Sequence, residues 1–278
     1  MRFPRAGTGG TNCHDRGVDA PEFLGLEPTG NPLRWRLPVV DSLTTAQNSL
    51  FGGVALGAAA TALEQVSGRP LVWATCQYLA YAEPPATVDL DLKIAVAGKQ
   101  TTQARAIGSV DGIEIFTVNA AFGARPIDLR GTWVERPDVP PPDAFPATPV
   151  PDEVRNRISS RMELRLANED SMSSVAGHGR ISVWARIPGL KPCSALLAVL
   201  GDMVPFGIRR VMGMRGSDNS LDNTLRVARI VPTEWVLLDI RVHAVEQGFG
   251  HGAVHLWSES GIYLGTASQS VIVRPPED

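Results

Sequence analysis

One acid stands alone in the most apolar part of this sequence. Residues 194–213 read SALLAVLGDMVPFGIRRVMG, and between Lys191 and Arg209 the one carboxylate is Asp202. Its chain neighbours include Leu196, Leu197, Val199, Leu200, Met203, Val204 and Phe206. A helical stretch that is apolar nearly all round belongs in an interior. A carboxylate there is costly unless hydrogen bonds meet it, and burial pushes its pKa upward. Acids perturbed in this way collect where proteins do proton chemistry. On this stretch alone a plainer reading stands level with that one. Gly201 before it and Pro205 after it would let Asp202 cap a broken helix.

Other residue types give weaker leads. His178, His243, His251 and His255 show no metal-ligand spacing, although the last two would share one face of a strand. No serine lies in a G-x-S-x-G elbow, which removes that class of nucleophilic hydrolase. The glycines of GTGG, Gly7 to Gly10, are followed by no Lys-Ser/Thr and preceded by no strand, so they read as tail rather than phosphate loop. Cys13, Cys76 and Cys193 form no C-x-x-C pair. They argue against a disulfide framework and against zinc, and fit a reducing, cytoplasmic compartment. Trp73, Trp184, Trp235 and Trp257 read as core, and Arg209 and Arg210 as a solvated helix end.

The 278 residues allow one large domain or two ordinary ones, with 44% apolar and 20% charged residues, enough for a proper core. A formal net charge of −3 gives no reason to expect nucleic acid or an anionic membrane surface. No apolar run is long enough to span a membrane, and the first residues lack the apolar segment of a secretory signal.

The elements that must position Asp202 come in two similar sets. Residues 1–31 read as a flexible, Gly- and Pro-punctuated tail. A short strand at 33–40 and a Gly/Ala-rich helix at 50–66 are followed by strands at 71–81, 87–97, 101–110 and 113–122, with Asp111-Gly112 as a hairpin turn. Seven prolines in residues 137–151 exclude helix and ladder there, so 126–170 reads as an extended linker plus a short connecting helix. The order then returns: a strand at 179–187, the helix at 194–213, and strands at 220–230, 235–245, 250–258 and 262–273. Trp35 and Trp184, Pro84 and Pro232, Asp91 and Asp239, and Gly112 and Gly261 all fall 148 or 149 positions apart. A long repeat of this kind decides the fold before anything else does. Repeats at 32–125 and 171–278, each with one buried helix, need a sheet curved around that helix. The fold class expected is α+β: a tandem (double) hot-dog, two antiparallel sheets each wrapped around a central helix.

At this point the chain resembles the acyl-CoA thioesterase II (TesB-like) double hot-dog family, over roughly residues 33–274. Ser220-Leu221-Asp222-Asn223 is similar to that family's Thr/Ser-hydrophobic-Asp-His segment, and residues 265–274 to its closing strand with a Gln. Gly201-Asp202 stands where the family has the Asp of its second helix, and Phe51-Gly52-Gly53 and residues 71–78 are similar to the segments around its first. The resemblance implies a hydrolytic site of Asp202, Ser220 and Gln269. It implies an acyl-CoA substrate, a role in fatty acid metabolism, no cofactor or metal, and a lean towards a homo-oligomer. A thiolate leaves readily, so thioester hydrolysis asks mainly for a positioned, activated water and a donor to the oxyanion; backbone N–H groups near a helix N-terminus are candidates for the latter. The repeat-equivalent positions of Gln269 and Ser220 are Ala120 and Val72, both apolar, which expects one active and one decayed site. Two departures, Val54 for the family's Gln and Asn223 for its His, bear on substrate preference and rate more than on fold. The rival expectations are a non-catalytic acyl-CoA or lipid-binding protein and an enoyl-CoA hydratase-type enzyme. The latter calls for a His near the Asp, and none lies between His178 and His243.

Overall fold

The computed structural model describes residues 17–167, 179–214 and 218–274. The glycines at 7–10, Cys13 and His178 lie outside the described residues. In chain order the first half holds α1 (Ala20–Leu24), β1 (Glu27–Pro28), β2 (Arg34–Pro38), α2 (Gly52–Ser67), β3 (Leu71–Tyr78), β4 (Thr87–Ala97), β5 (Thr101–Val110) and β6 (Ile113–Gly123). The second holds β7 (Glu163–Leu166), β8 (Arg180–Arg186), α3 (Ser194–Gly201), α4 (Val204–Met212), β9 (Asn219–Ser220), β10 (Asp222–Val227), β11 (Val236–Glu246), β12 (Phe249–Ser258) and β13 (Tyr263–Ile272).

All these strands join one antiparallel sheet, in the order β1-β2-β4-β5-β6-β3-β10-β13-β12-β11-β8-β7, with β9 beside β13. This corrects the expectation of two sheets. An edge strand presents unpaired N–H and C=O groups, and β3 and β10 satisfy theirs by pairing with each other, Trp73–Gln77 against Asp222–Arg226. At the middle of that seam Thr75 faces Thr224, 149 positions away, and their hydroxyls hydrogen-bond at 2.7 Å. Residues related by the repeat therefore meet at the join.

The pairings carry the repeat register more finely than the sequence did. The irregularity in β4 at Ile94/Val96 recurs in β11 at Val242/Ala244, an offset of 148. The pairs Leu71↔Phe122 and Ser220↔Val271 give 149, so the counterpart of Ser220 is Leu71 and not Val72. Trp35 lies opposite Leu90 and Trp184 opposite Leu237, while Val183 lies opposite Leu238. With the β4/β11 offset of 148, the counterpart of Trp35 is Val183. The matching of Trp35 with Trp184 was one residue out of register, which in a strand means opposite faces.

α2 packs on β3, β4, β5 and β6, α3 on β10, β12 and β13, and α4 on β8, β11, β12 and β13. α2 and α3 also pack on each other, and small residues set their approach. A Cβ on Gly53 would stand 2.7 Å from the carbonyl oxygen of Ala198, and one on Gly57 3.3 Å from Cα of Ala195. The Gly/Ala content that weakens α2 as an isolated helix lets a second helix lie against its backbone.

Three further expectations are corrected. Residues 17–31 are not a loose tail: α1 buries Phe23 and Leu24, Leu26 follows them inside, and the Arg161 guanidinium lies 3.7 Å from the Phe23 ring centre. The connecting helix is absent from 152–166, where 3-10 turns at Asp152–Val154 and Ile158–Arg161 lead into β7, which covers the edge of β8. β7 thus adds a strand to the sheet ahead of residue 171. The single helix over 194–213 is two, broken at Asp202 and Met203. Pro205 has no N–H and its ring would strike the carbonyl four residues back, so the helix cannot run through.

The Pro-rich segment crosses the outer face of the second half. Trp184, Trp235, Leu237 and Trp257 form an apolar cluster there with Ala167, flanked by Val134, Val139, Phe145 and Tyr263. Trp184 Nε1 donates to the Pro140 carbonyl at 2.9 Å. At the 148 offset the first-half counterparts are Arg36, Thr87, Asp89 and Ser109, and Arg36 and Asp89 form an exposed ion pair at 3.4 Å. The same face is apolar under the strap and polar where the strap is missing. Trp184→Ala should cost about 3–5 kcal/mol in urea unfolding, the usual loss for a buried aromatic. Arg36→Ala should change stability by no more than roughly 0.5 kcal/mol, as exposed sites do. Equal losses would contradict this division of the sheet.

Candidate active site

Asp202 sits in the gap between α3 and α4, 5% exposed, with backbone angles outside the helical range (φ −83°, ψ 52°). Its backbone N–H bonds back to the Val199 carbonyl, but its carboxylate turns away from its own helices. Oδ2 accepts the Gly53 N–H at 2.5 Å, and Oδ1 accepts from Nε2 of Gln269. The first N–H groups of any helix lack partners within it and sit at the positive end of its dipole. Phe51 supplies no side-chain cap to α2. Asp202 therefore does cap a helix, but the helix is α2 of the other half.

Gln269 is held at both ends of its amide. Val204 N–H, in the first turn of α4, donates to its Oε1 at 3.1 Å, and its Nε2 also donates to Ser220 Oγ at 3.0 Å. The break between α3 and α4 thus frees one N–H that orients the glutamine, and the glutamine orients the acid. The three residues singled out from the sequence are brought together in the order Asp202–Gln269–Ser220, from a helix end and two strands. Asp222, two residues after Ser220, accepts the Ser270 N–H at 2.8 Å and so ties β10 to β13 beside the glutamine.

Burial raises Asp202 to about 6, against the Gln269 and Gly53 hydrogen bonds, which lower it. Such a carboxylate is ionised at neutral pH yet basic enough to take a proton from a polarised water. Glu64, the one acid of α2, is used otherwise. Its Oε2 accepts from Ser194 Oγ at 2.5 Å and its Oε1 from the Leu71 N–H at 2.8 Å, and burial raises its pKa in spite of both bonds. It ties α2 to α3 and β3.

The other candidates go elsewhere. His251 Nδ1 lies 3.2 Å from Ser270 Oγ, and His255 Nδ1 3.4 Å from the Tyr263 hydroxyl. Arg209 pairs with Asp218 at 3.3 Å, and the Arg210 guanidinium lies 5.5 Å from the Phe206 ring centre. Three residues at the site were not singled out from the sequence as members of it. Gly53 is one, and its signal was available, since it lies one repeat length, 149 positions, from Asp202. Tyr78 and Asn223 are the others; the hydroxyl of the first and both amide atoms of the second are buried without a hydrogen-bond partner among the described residues.

The geometry defines a class first: a largely antiparallel protein in which a helix break of one half offers a carboxylate to the helix start of the other. A structure from Alicyclobacillus acidocaldarius described as having a hot dog fold shares that fold, with a TM-score of 0.79, 19% identity, and 93% of this chain and 98% of that chain covered. A candidate thioesterase from Novosphingobium aromaticivorans is 29% identical, with a TM-score of 0.81 over 90% of this chain and 98% of its own. The acyl-CoA thioesterase II TesB2 of Mycobacterium marinum is 19% identical, with a TM-score of 0.75 over 93% and 99%. No curated protein matches the chain. Residues 137–273 match the family model of the acyl-CoA thioesterase C-terminal domain, so this part of the chain is similar to that family. The resemblance drawn from the sequence to the TesB-like thioesterases holds.

The small residue at 53 is a condition of the site. A methyl group there would lie 2.7 Å from the Ala198 oxygen, 2.8 Å from Val199 Cα and 3.0 Å from Asp202 Cβ. Gly53→Ala should therefore cost about 1–3 kcal/mol, the usual overpacking loss, when read by thermal unfolding. A Gly53→Ala protein as stable as the parent would contradict the close approach of α2 and α3.

Proposed function

We propose that this protein hydrolyses acyl-CoA thioesters to a carboxylic acid and CoA, with Asp202 as general base and Ser220 and Gln269 positioning the water. The observation that carries the proposal is the buried Asp202 carboxylate, raised to about 6 and fixed by one group from each half. Water oxygen attacks the thioester carbon while Asp202 takes its proton, and the carbonyl π electrons move onto oxygen. The C–S bond of the resulting tetrahedral species then breaks, the sulfur leaves with the bonding pair, and the proton held by Asp202 neutralises the thiolate. The fold proposed is a tandem hot-dog, one unit per half, with the acyl chain between them. The first-half counterparts of Asp202, Ser220 and Gln269 are Gly53, Leu71 and Ala120, so one site per chain is proposed. The cytoplasm is proposed as its compartment on the cysteine pattern, and no helix among the described residues is long and apolar enough to cross a membrane. A hydratase needs a second acid–base group beside the carboxylate, and the side chain bonded there is the non-titrating Gln269.

Thiol release from acyl-CoAs of short to long chain tests the activity. Asp202→Asn should lower kcat by roughly 10²- to 10⁴-fold, the usual size of a general-base contribution. The melting temperature should change little. The folded protein holds the Asp202 proton more tightly than the unfolded chain, so ionised Asp202 lowers stability above about pH 6. Removing that charge offsets the hydrogen bonds lost. A fully active but destabilised Asp202→Asn would sink the assignment and leave Asp202 as a cap alone. Tight acyl-CoA binding without thiol release would identify a carrier instead.

A further inference from the structure

Hydrolysis through a tetrahedral oxyanion needs donors aimed at the carbonyl oxygen as well as a base. Four backbone donors beside Asp202 are already in use. Gly53 N–H holds the carboxylate itself, Val54 and Ala55 N–H bond the Phe51 carbonyl, and Val204 N–H holds Gln269. Of the helix-start amides expected to serve the oxyanion, these four are thus committed to the base, its positioner and the Phe51 carbonyl.

Two buried side-chain donors beside this group are not committed. Among the described residues the Tyr78 hydroxyl has no hydrogen-bond partner, and the weakly polar Cys76 thiol lies next to it. The hydroxyl and Asp202 Oδ2 each lie 2.8 Å from the point a Cβ on Gly52 would occupy, so they face each other across the first residue of α2. Asn223 is 0% exposed, and neither its Oδ1 nor its Nδ2 has a partner among the described residues. It lies opposite Cys76 on β3, and one step further along the β10–β13 register places it opposite Gln269. Cross-strand neighbours of this kind have Cβ atoms about 5 Å apart. Tyr78, Asn223 and Gln269 thus share one buried stretch of the seam, with Asp202 against it. A buried amide with neither atom bonded costs free energy that folding alone does not explain. Burial also holds the Tyr78 pKa well above its ordinary value, so the hydroxyl stays a proton donor.

We infer that the Tyr78 hydroxyl and the Asn223 Nδ2–H bind the carbonyl oxygen of the acyl thioester and stabilise the oxyanion formed when water attacks. The inference rests on the hydrolase reading above and adds two catalytic residues to it, one from each half. Both groups act as donors throughout: no proton leaves either of them, and the negative charge passes from the oxyanion to the departing thiolate. Gly52 is part of the arrangement, because any side chain there would fill the space between hydroxyl and carboxylate.

The test uses Tyr78→Phe, Asn223→Leu and the full-length parent, with three readouts: thiol release, thermal unfolding, and binding of an S-alkyl-CoA thioether, which has no carbonyl oxygen. Each substitution should lower kcat by roughly 10- to 10³-fold, in the range known for single oxyanion donors. KM should stay within a few-fold and thioether affinity should not change. Neither variant should melt lower than the parent, since each removes an unpaired polar group. Variants that keep parental kcat would overturn the inference and leave the hydrolase reading standing. Variants that melt lower while keeping turnover per folded molecule would show a packing role and overturn it as well. A parent that releases thiol from no acyl-CoA would remove the hydrolase reading and this inference with it.

Discussion

The Gly53 N–H bond to the Asp202 carboxylate is the contact on which the rest of the site depends. It joins residues 149 positions apart, one in each half, and both are buried. A helix start with an unfilled donor and an acid with an unfilled charge each carry a cost when buried alone. Together they offset it. The acid stays ionisable, raised to about 6 rather than held neutral, because the Gly53 and Gln269 hydrogen bonds oppose the desolvation. Loss of either donor would push the pKa higher and shrink the ionised fraction at neutral pH.

That contact explains features that look unrelated along the chain. The glycines and alanines of α2 let α3 come close enough for a side chain at its end to reach the first turn of α2. The Gly-Asp-Met-Val-Pro break points the carboxylate out of its own helix and leaves the Val204 N–H free to hold Gln269. The β3–β10 seam fixes the two halves in register, with Thr75 bonded to its own repeat counterpart Thr224. Site and seam are therefore parts of one construction.

Much of this was legible in the sequence. The limits of β4 and β5 match the alternation in residues 87–97 and 101–110, because one face of each is buried and the other solvated. The Asp111-Gly112 turn takes positive φ at both residues, as its composition implies. The adjacency of Asp202, Ser220 and Gln269 came from a resemblance, since nothing local in residues 220 and 269 marks them. Other features were hidden for physical reasons. Apolar content alone cannot separate one long helix from two, and here one proline decides. A polar, Gly-punctuated stretch such as 17–31 reads as tail until Phe23 and Leu24 are seen to have a surface to pack on. Edge strands carry no sequence mark that tells one joined sheet from two. Tyr78 and Asn223 stood in plain view, but an unpaired hydroxyl or amide exists only as a three-dimensional fact.

The central claim is that Asp202 is the base and that its environment, not its residue type alone, makes it one. The pH dependence of kcat/KM for acyl-CoA hydrolysis tests this most directly, because it reports the free protein's essential base. A base must be ionised to act, and a carboxylate raised to about 6 is ionised above that value and protonated below it. The account predicts a rise in kcat/KM with a midpoint near 6 and a plateau above it. A profile that stays flat down to the ordinary carboxylate range near 4, or that rises only above about 8, would contradict it.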